Sequence, residues 1–165
     1  MSEALLKEYG IKLRIDDKRT IGKKVNFKFS GNLNVEQQKA LKNILSDDFG
    51  VLVAPPGAGK TVLAIAAIAK RKTNTLILVH RKPLMDQWRL QIASLLGIDK
   101  KEVGQIGGGK NKSNGIIDIG MVQSMDLTNG VDDRIADYGF VIVDECHHVG
   151  AASFEKVLSQ VKAKY

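Results

Sequence analysis

Short runs of apolar residues alternate with longer segments of mixed character from residue 48 onward. The runs are typical of β-strands, whereas apolar residues in the mixed segments recur every three or four positions, as on one face of a helix. The predicted strands lie at 50–54, 75–80, 102–106, 116–121 and 139–144. The predicted helices lie at about 59–71, 83–96 and 123–127, with a short turn near 131–136 and a final helix from about 151. This alternation predicts a mainly parallel sheet with right-handed crossovers.

One strand and the helix after it indicate how the sheet is covered. The strand TLILVH is apolar at consecutive positions, as expected for a strand buried on both faces. The helix has four apolar residues on one stripe, namely Leu84, Trp88, Ile92 and Leu95. A stripe of this kind predicts a face packed on the core, so we interpret Trp88 as a core residue and not as a ring that stacks on a ligand.

The first 32 residues have a different pattern. Apolar and polar residues alternate on both sides of the turn-rich sequence DDKRTIG, with the apolar positions at Ile11, Leu13 and Ile15, then Val25, Phe27 and Phe29. This predicts a small β-hairpin extension, 1–32, ahead of a main domain at 33–165. A helix is predicted at 34–46, with Asn34 as its N-cap.

The composition limits the class of protein and its cellular location. The single cysteine, Cys146, excludes a disulfide framework, the charged N-terminus is unlike a signal peptide, and no apolar run reaches membrane-spanning length. We therefore expect a cytoplasmic protein with no membrane contact.

Charge is unevenly distributed along the sequence. Residues 71–112 hold nine Lys and Arg against three Asp and Glu, whereas residues 113–165 hold four Lys and Arg against eight Asp and Glu. The basic stretch favours a polyanionic partner and the acidic one a cation.

The segment APPGAGKT joins a predicted strand to a predicted helix and matches the phosphate-binding P-loop, with alanine in place of the usual first glycine. Gly57, Ala58 and Gly59 would turn successive N–H groups toward phosphate oxygens, beside the positive end of the next helix. Lys60 can reach the β- and γ-phosphates, and the hydroxyl of Thr61 can ligate Mg²⁺. A nucleoside triphosphate and Mg²⁺ are therefore the predicted ligands of this loop.

Two adjacent acids follow the apolar run FVIV. Asp144 is placed to hold Mg²⁺ through water, in partnership with the P-loop threonine. Glu145 can orient and deprotonate a water molecule for attack on the γ-phosphate, with Lys60 assisting at the phosphates. A small-molecule kinase has to exclude water, so this pair favours hydrolysis of a nucleoside triphosphate over phosphoryl transfer to a metabolite. We interpret His147, just beyond the acids, as a residue that couples the site to its surroundings.

Taken together, these motifs resemble those of superfamily 2 helicases and translocases. DECH at 144–147 resembles motif II in its DEAH-like variant, and the P-loop resembles motif I. LVHRKPLMDQW at 78–88 resembles motif Ia of the restriction-subunit and repair-helicase branch. Three further segments are similar to the upstream glutamine element, the GG element and motif Ic; they lie at 33–41, 106–109 and 118–125.

The resemblance implies a fold and a set of contacts. The fold would be an α/β P-loop NTPase of the RecA-like type, a three-layer αβα domain with a mainly parallel sheet. Gln37 would read the adenine edge of ATP, because its amide both donates and accepts. Sequence-independent contacts to the phosphates of a nucleic acid would come from Arg81, Gly108, Gly109, Gln123 and Ser124.

The resemblance also implies how much of a motor this sequence contains. The family would next show a serine/threonine–alanine motif and a second RecA-like domain with an arginine finger, so residues 33–165 are expected to be the first motor domain. We expect this chain to bind ATP–Mg²⁺ and hydrolyse it poorly, as part of an ATP-dependent helicase or translocase with DNA favoured over RNA. The alternatives are an RNA-directed helicase and a nucleotide-binding or adaptor module without motor activity.

Overall fold

The computed structural model describes residues 16–127, 130–146 and 152–165. In these residues the helices are α1 (Val35–Ser46), α2 (Lys60–Arg71), α3 (Lys82–Leu96), α4 (Val122–Met125) and α5 (Ala152–Leu158). The strands are β1 (Thr75–Val79), β2 (Gly104–Gly107), β3 (Lys110–Lys112), β4 (Ile117–Met121), β5 (Asp126–Leu127), β6 (Gly130–Val131) and β7 (Phe140–Val143). Short 3₁₀ helices lie at Lys100–Glu102 and Asp133–Asp137.

Five of the strands form one sheet in the order β3-β2-β4-β1-β7. β1 is hydrogen-bonded in parallel to both β4 and β7, and β4 pairs in parallel with β2. Only the edge pair, β2 with β3, is antiparallel within this sheet. The mainly parallel sheet predicted from the sequence is therefore confirmed.

Both faces of the sheet are covered. One apolar cluster joins Ile77 and Val79 of β1 to buried residues of α1, α2 and α3. A second cluster joins Leu76 and Leu78 of β1 to α4, the second 3₁₀ helix and α5. The strand is fully buried at each of its five positions because its alternate side chains enter different clusters. This is the predicted three-layer αβα arrangement.

The predicted strand at 50–54 is wrong. Val51 and Val53 are 66% and 88% exposed, and no backbone hydrogen bond joins 51–53 to another described residue. A strand requires a neighbouring edge with free N–H and C=O groups. The outer edge of β7 is bonded to Tyr165, whose N–H donates to Gly139 O at 3.0 Å and whose carbonyl accepts from Val141 N at 2.9 Å. The segment before the P-loop is thus extended but unpaired.

The N-terminal hairpin also differs from the prediction. Its first half lies outside the described residues, and the second half, 25–29, is not a strand. Phe27 and Phe29 nevertheless pack against the first apolar cluster, while Lys28 between them is exposed. Backbone contacts are confined to single bonds such as Val25 N to Lys72 O, 3.0 Å. The alternation therefore reflects an extended segment lying on the domain.

The helices agree better with their patterns. The Asn34 side chain accepts from Gln37 N and the Gln37 side chain accepts from Asn34 N, which completes a capping box at the start of α1. The buried face of α3 consists of Met85, Trp88, Ile92 and Leu96. Leu84 and Leu95 are only partly buried, so the predicted stripe is rotated slightly. β3, β5 and β6 were not predicted; β3 is the fully exposed polar sequence KNK.

A buried carboxylate fixes the edge of the sheet where the strands begin. Asp118 is fully buried and accepts hydrogen bonds from Asn114 N at 2.8 Å, Gly115 N at 2.7 Å and the Tyr138 hydroxyl at 2.6 Å. Burial raises the pKa of Tyr138, and the hydrogen bond to Asp118 raises that pKa further. Both effects favour the neutral phenol in the folded state.

We predict that Tyr138→Phe lowers the free energy of unfolding by about 1–3 kcal/mol, because Asp118 loses one donor in a buried setting. Since the folded-state pKa of Tyr138 is raised, its contribution is complete below about pH 10 and is lost as the pH rises further. The variant should therefore lose less stability than the parent chain above that pH. Urea unfolding at neutral and alkaline pH measures both effects. Tyr165→Phe, which keeps its ring on Arg71, is the control; an equal loss in both variants would contradict the role of Asp118.

Candidate nucleotide and nucleic-acid site

Parallel pairing brings the predicted functional residues to one edge of the sheet. The carboxyl ends of parallel strands lie at the same edge, where α/β proteins commonly bind ligands. His80 and Arg81 follow β1, Gln123 and Ser124 lie in the helix after β4, and Asp144 and Glu145 follow β7. The glycines at 107–109 end β2 at this edge as well. The strands lie in the order β2, β4, β1, β7, so the glycine turn after β2 is followed across the sheet by Gln123 and Ser124, then by Arg81, and last by the two acids after β7.

The P-loop has the geometry of an anion cradle. Gly57 and Gly59 have φ values of 80° and 82°, and the loop leads directly into α2 at Lys60. No side chain caps the start of α2, so its first N–H groups are available to an anion. The Lys60 ammonium group instead donates to protein carbonyls, Ala54 O at 2.8 Å and Pro55 O at 3.4 Å. These residues fit a bound triphosphate, whose oxygens would compete for the same donors.

Gln37 lies directly against the P-loop. Its amide Nε2 donates to Ala58 O at 3.1 Å and its Oε1 accepts from Asn34 N at 3.1 Å. A Cβ atom at Gly59 would lie 2.6 Å from Nε2, and the φ of 82° is one that residues with a side chain rarely adopt, so glycine is favoured there. The glutamine thus lies beside the P-loop, with both amide atoms bonded within the protein.

The two acids differ in their surroundings. The backbone N–H of Asp144 donates to Leu78 O at 3.0 Å, which anchors its main chain to β1. Its carboxylate Oδ2 accepts from the indole Nε1 of Trp88 at 2.7 Å. Glu145 is exposed and has a φ of 55°, a left-handed conformation that is unusual for a residue other than glycine. Such conformations cluster at functional sites.

The predicted nucleic-acid contacts also lie together. The amide of Gln123 donates to His80 O at 3.3 Å, which joins the ends of β4 and β1. Gly107 approaches Ser124 so closely that a Cβ atom there would collide with the serine hydroxyl. Gly109 faces open space and Arg81 is exposed at the start of α3. These candidate contacts therefore follow the carboxyl ends of β2, β4 and β1, which are neighbours in the sheet.

The predicted magnesium site would have few protein ligands. Within 16–127, 130–146 and 152–165, no group of three or more His, Cys, Asp or Glu is arranged to hold a metal ion. Thr61 and Asp144 offer one hydroxyl and one carboxylate. Hard oxygen ligands of this kind suit Mg²⁺, which usually keeps several waters and substrate phosphates in its coordination shell.

One predicted site residue, His147, lies outside the described residues, so its coupling role stays a prediction. Another residue departs from its prediction: Trp88 was predicted as core alone, yet its N–H is bonded to the carboxylate of Asp144. A buried indole normally finds a hydrogen-bond acceptor, so its place on the buried face of a helix was a signal that it had a polar partner.

Comparison with known proteins finds one matching family and several relatives that are named helicases. The family model described as "Type III restriction enzyme, res subunit" matches residues 30–165. The chain is 36% identical over 141 residues to the "Putative ATP-dependent RNA helicase L396" of Acanthamoeba polyphaga mimivirus, covering 83% of this chain and 27% of that protein. It is 31% identical over 148 residues to the "Putative DNA 3'-5' helicase Rad25" of Halobacterium salinarum, covering 88% and 24%. The chain thus spans about a quarter of the length of these relatives.

The fold has a close counterpart among solved structures. The UvsW helicase from bacteriophage T4 superposes with a TM-score of 0.70 at 16% identity, covering 97% of this chain and 64% of that one. This likeness supports the helicase-type RecA-like fold. Together with a family match over most of the length, it confirms the resemblance inferred from the motifs. The chain belongs to the family described as type III restriction enzyme, res subunit, within the restriction-subunit branch of superfamily 2.

Proposed function

We propose that this chain is the ATP-binding motor domain of an ATP-dependent DNA helicase or translocase. The observation that carries the proposal is the shared edge of the sheet, where candidate strand contacts and the two acids follow neighbouring parallel strands. A motor has to connect hydrolysis to a bound strand, and adjacent strand ends provide a short connection. An adaptor module without turnover would have no need for Glu145 beside Asp144.

In this proposal the nucleotide is ATP with Mg²⁺. Gly57, Ala58 and Gly59 present backbone N–H groups to the phosphates, and Lys60 exchanges its carbonyl partners for phosphate oxygens. Thr61 and Asp144 hold the metal ion, which neutralises phosphate charge when bound. Glu145 accepts the proton of the attacking water. Gln37 reads adenine after releasing its bonds to Ala58 and Asn34.

The proposed nucleic-acid contacts are sequence-independent. Arg81 pairs with one phosphate, and backbone N–H groups of Gly108 and Gly109 approach another. The amide of Gln123 and the hydroxyl of Ser124 donate to a third phosphate. We propose DNA because the Rad25 relative is named a DNA helicase; the L396 relative is named an RNA helicase, which makes RNA the outcome that the binding test has to exclude.

The remaining parts of the motor are also proposals. Residues 33–165 act as the first RecA-like domain, 1–32 as an accessory extension, and His147 as a coupling residue. In this proposal a second RecA-like domain supplies an arginine finger, a residue that is typically worth about 10³ or more in rate.

The sequence also bears on where the protein is found. Among the described residues, none of the helices has both the length and the apolar character of a membrane span. We propose a cytoplasmic location, supported by the single cysteine of the sequence.

We predict that Glu145→Gln lowers DNA-stimulated ATPase activity at least about 100-fold while ATP binding remains within about twofold, because the base is lost but the cradle is intact. The assay uses the protein encoded by the full reading frame, and duplex DNA, single-stranded DNA or RNA is added in separate reactions. Glu155→Gln, an exposed change on α5, should have no effect. Absence of stimulation by any nucleic acid in the parent protein would overturn the motor proposal, and stimulation by RNA alone would overturn the choice of DNA.

We predict that Arg81→Ala weakens DNA binding equally for unrelated sequences. Loss of one phosphate contact should make the slope of log affinity against log salt shallower by about 0.9 for duplex DNA. Fluorescence anisotropy of labelled duplexes across a salt series measures this slope. Lys42→Ala removes an exposed cation from α1 as the control. An identical slope change in both variants would show that net charge, and not a contact at Arg81, accounts for the effect.

A further inference from the structure

The indole of Trp88 makes one directed polar contact. Its Nε1 lies 2.7 Å from Asp144 Oδ2, and the residue is only 3% exposed. The two residues are 56 positions apart in the sequence, so the contact is tertiary and not a consequence of local geometry. Trp88 is also the only tryptophan of the sequence.

Apolar packing accounts for the ring of Trp88 but not for its hydrogen bond. The neighbouring buried positions of α3, Met85 and Ile92, contribute packing without polar atoms. An indole N–H buried without an acceptor would carry a desolvation penalty, and here it is directed at a carboxylate. Because the donor is neutral, the charge of Asp144 is kept for a cation. The bond is made to Oδ2, and Oδ1 receives no bond from Trp88.

Asp144 is thereby held by two different elements. Its backbone N–H is bonded to Leu78 O in β1, which fixes the main chain. Trp88 in α3 fixes the rotation of the carboxylate. Partners of this kind orient a ligand without touching the metal, and their removal typically weakens metal binding by 10–100-fold.

We propose that Trp88 is a positioning residue for the Asp144 carboxylate and that it ties α3 to the magnesium site. The proposal rests on the function proposed above, in which Asp144 holds Mg²⁺. The same helix begins immediately after Arg81, about 10 Å along the axis from Trp88. One rigid element therefore connects the proposed strand contact to the orientation of the metal-site acid.

The first test is Trp88→Phe, which removes the donor and keeps an aromatic ring. A fluorescent ATP analogue is titrated against the chain, with Mg²⁺ varied from zero to saturation. We expect the Mg²⁺ concentration for half-maximal tightening to rise about tenfold, while affinity without Mg²⁺ stays within about twofold. Ile92→Val shortens another buried side chain of α3 and should leave the Mg²⁺ dependence unchanged. Equal weakening with and without Mg²⁺, or an unchanged Mg²⁺ dependence, would overturn the proposal.

A second variant covers the case in which Trp88→Phe does not fold. Because the sequence has one tryptophan, biosynthetic incorporation of benzothienylalanine replaces only this N–H by sulfur at nearly constant ring shape. It should reproduce the shift in Mg²⁺ dependence, and a parent-like value would refute the hydrogen bond's role.

The parent indole also provides a spectroscopic signal for the same bond. Emission excited at wavelengths selective for tryptophan should change when Mg²⁺ is added to the chain with the nucleotide analogue bound. Asp144→Asn should abolish both this change and the Mg²⁺ dependence of binding. If Asp144→Asn retains the full Mg²⁺ dependence, the proposed metal site itself fails. If it loses that dependence while Trp88→Phe and the benzothienyl form retain it, only the positioning role fails.

Discussion

The parallel pairing of β1 with strands on both sides is the constraint on which the rest of the structure depends. β1 is buried at every position and bonded to β4 and β7, so its neighbours cannot slip without exposing apolar side chains. Parallel direction then places the three carboxyl ends at one edge. Residues that lie more than 40 positions apart in sequence, such as His80 and Gln123, meet there through a hydrogen bond. The candidate site is therefore assembled by the way in which β4 and β7 pair with β1.

The opposite edge of the sheet explains why that register is stable. Asn74 immediately precedes β1 and is fully buried; its side chain accepts from Lys23 N and Gly139 N and donates to Gly115 O and Asp137 O. Asp118 performs a similar role at the start of β4. Buried polar groups that are fully bonded define one arrangement, because any shift leaves an unpaired donor or acceptor. Fixed strand starts thus support an accurately placed site at the strand ends.

The sequence predicted most of this architecture where local pattern and tertiary structure agree. Apolar runs located β1, β4 and β7, and the Asn34 cap located α1, since each signal is encoded in neighbouring residues. The strand predicted at 50–54 was wrong because the high β-propensity of Val51 and Val53 does not provide a neighbouring strand with which to pair. The tie between Trp88 and Asp144 was missed for the same reason: helical spacing identifies a buried face, but only the folded chain identifies the acceptor opposite the indole.

The bonds within the P-loop region bear on how nucleotide binding begins. Lys60 and Gln37 both donate to carbonyls of 54–58, so a nucleotide has to replace these partners and not simply fill an open cradle. Phosphate oxygens carry charge and outcompete neutral carbonyls for an ammonium group. In the proposed contact to adenine, Gln37 would gain no such advantage, because one neutral hydrogen bond would replace another. Phosphate contacts would therefore supply most of the affinity in that proposal, and adenine would contribute mainly selectivity.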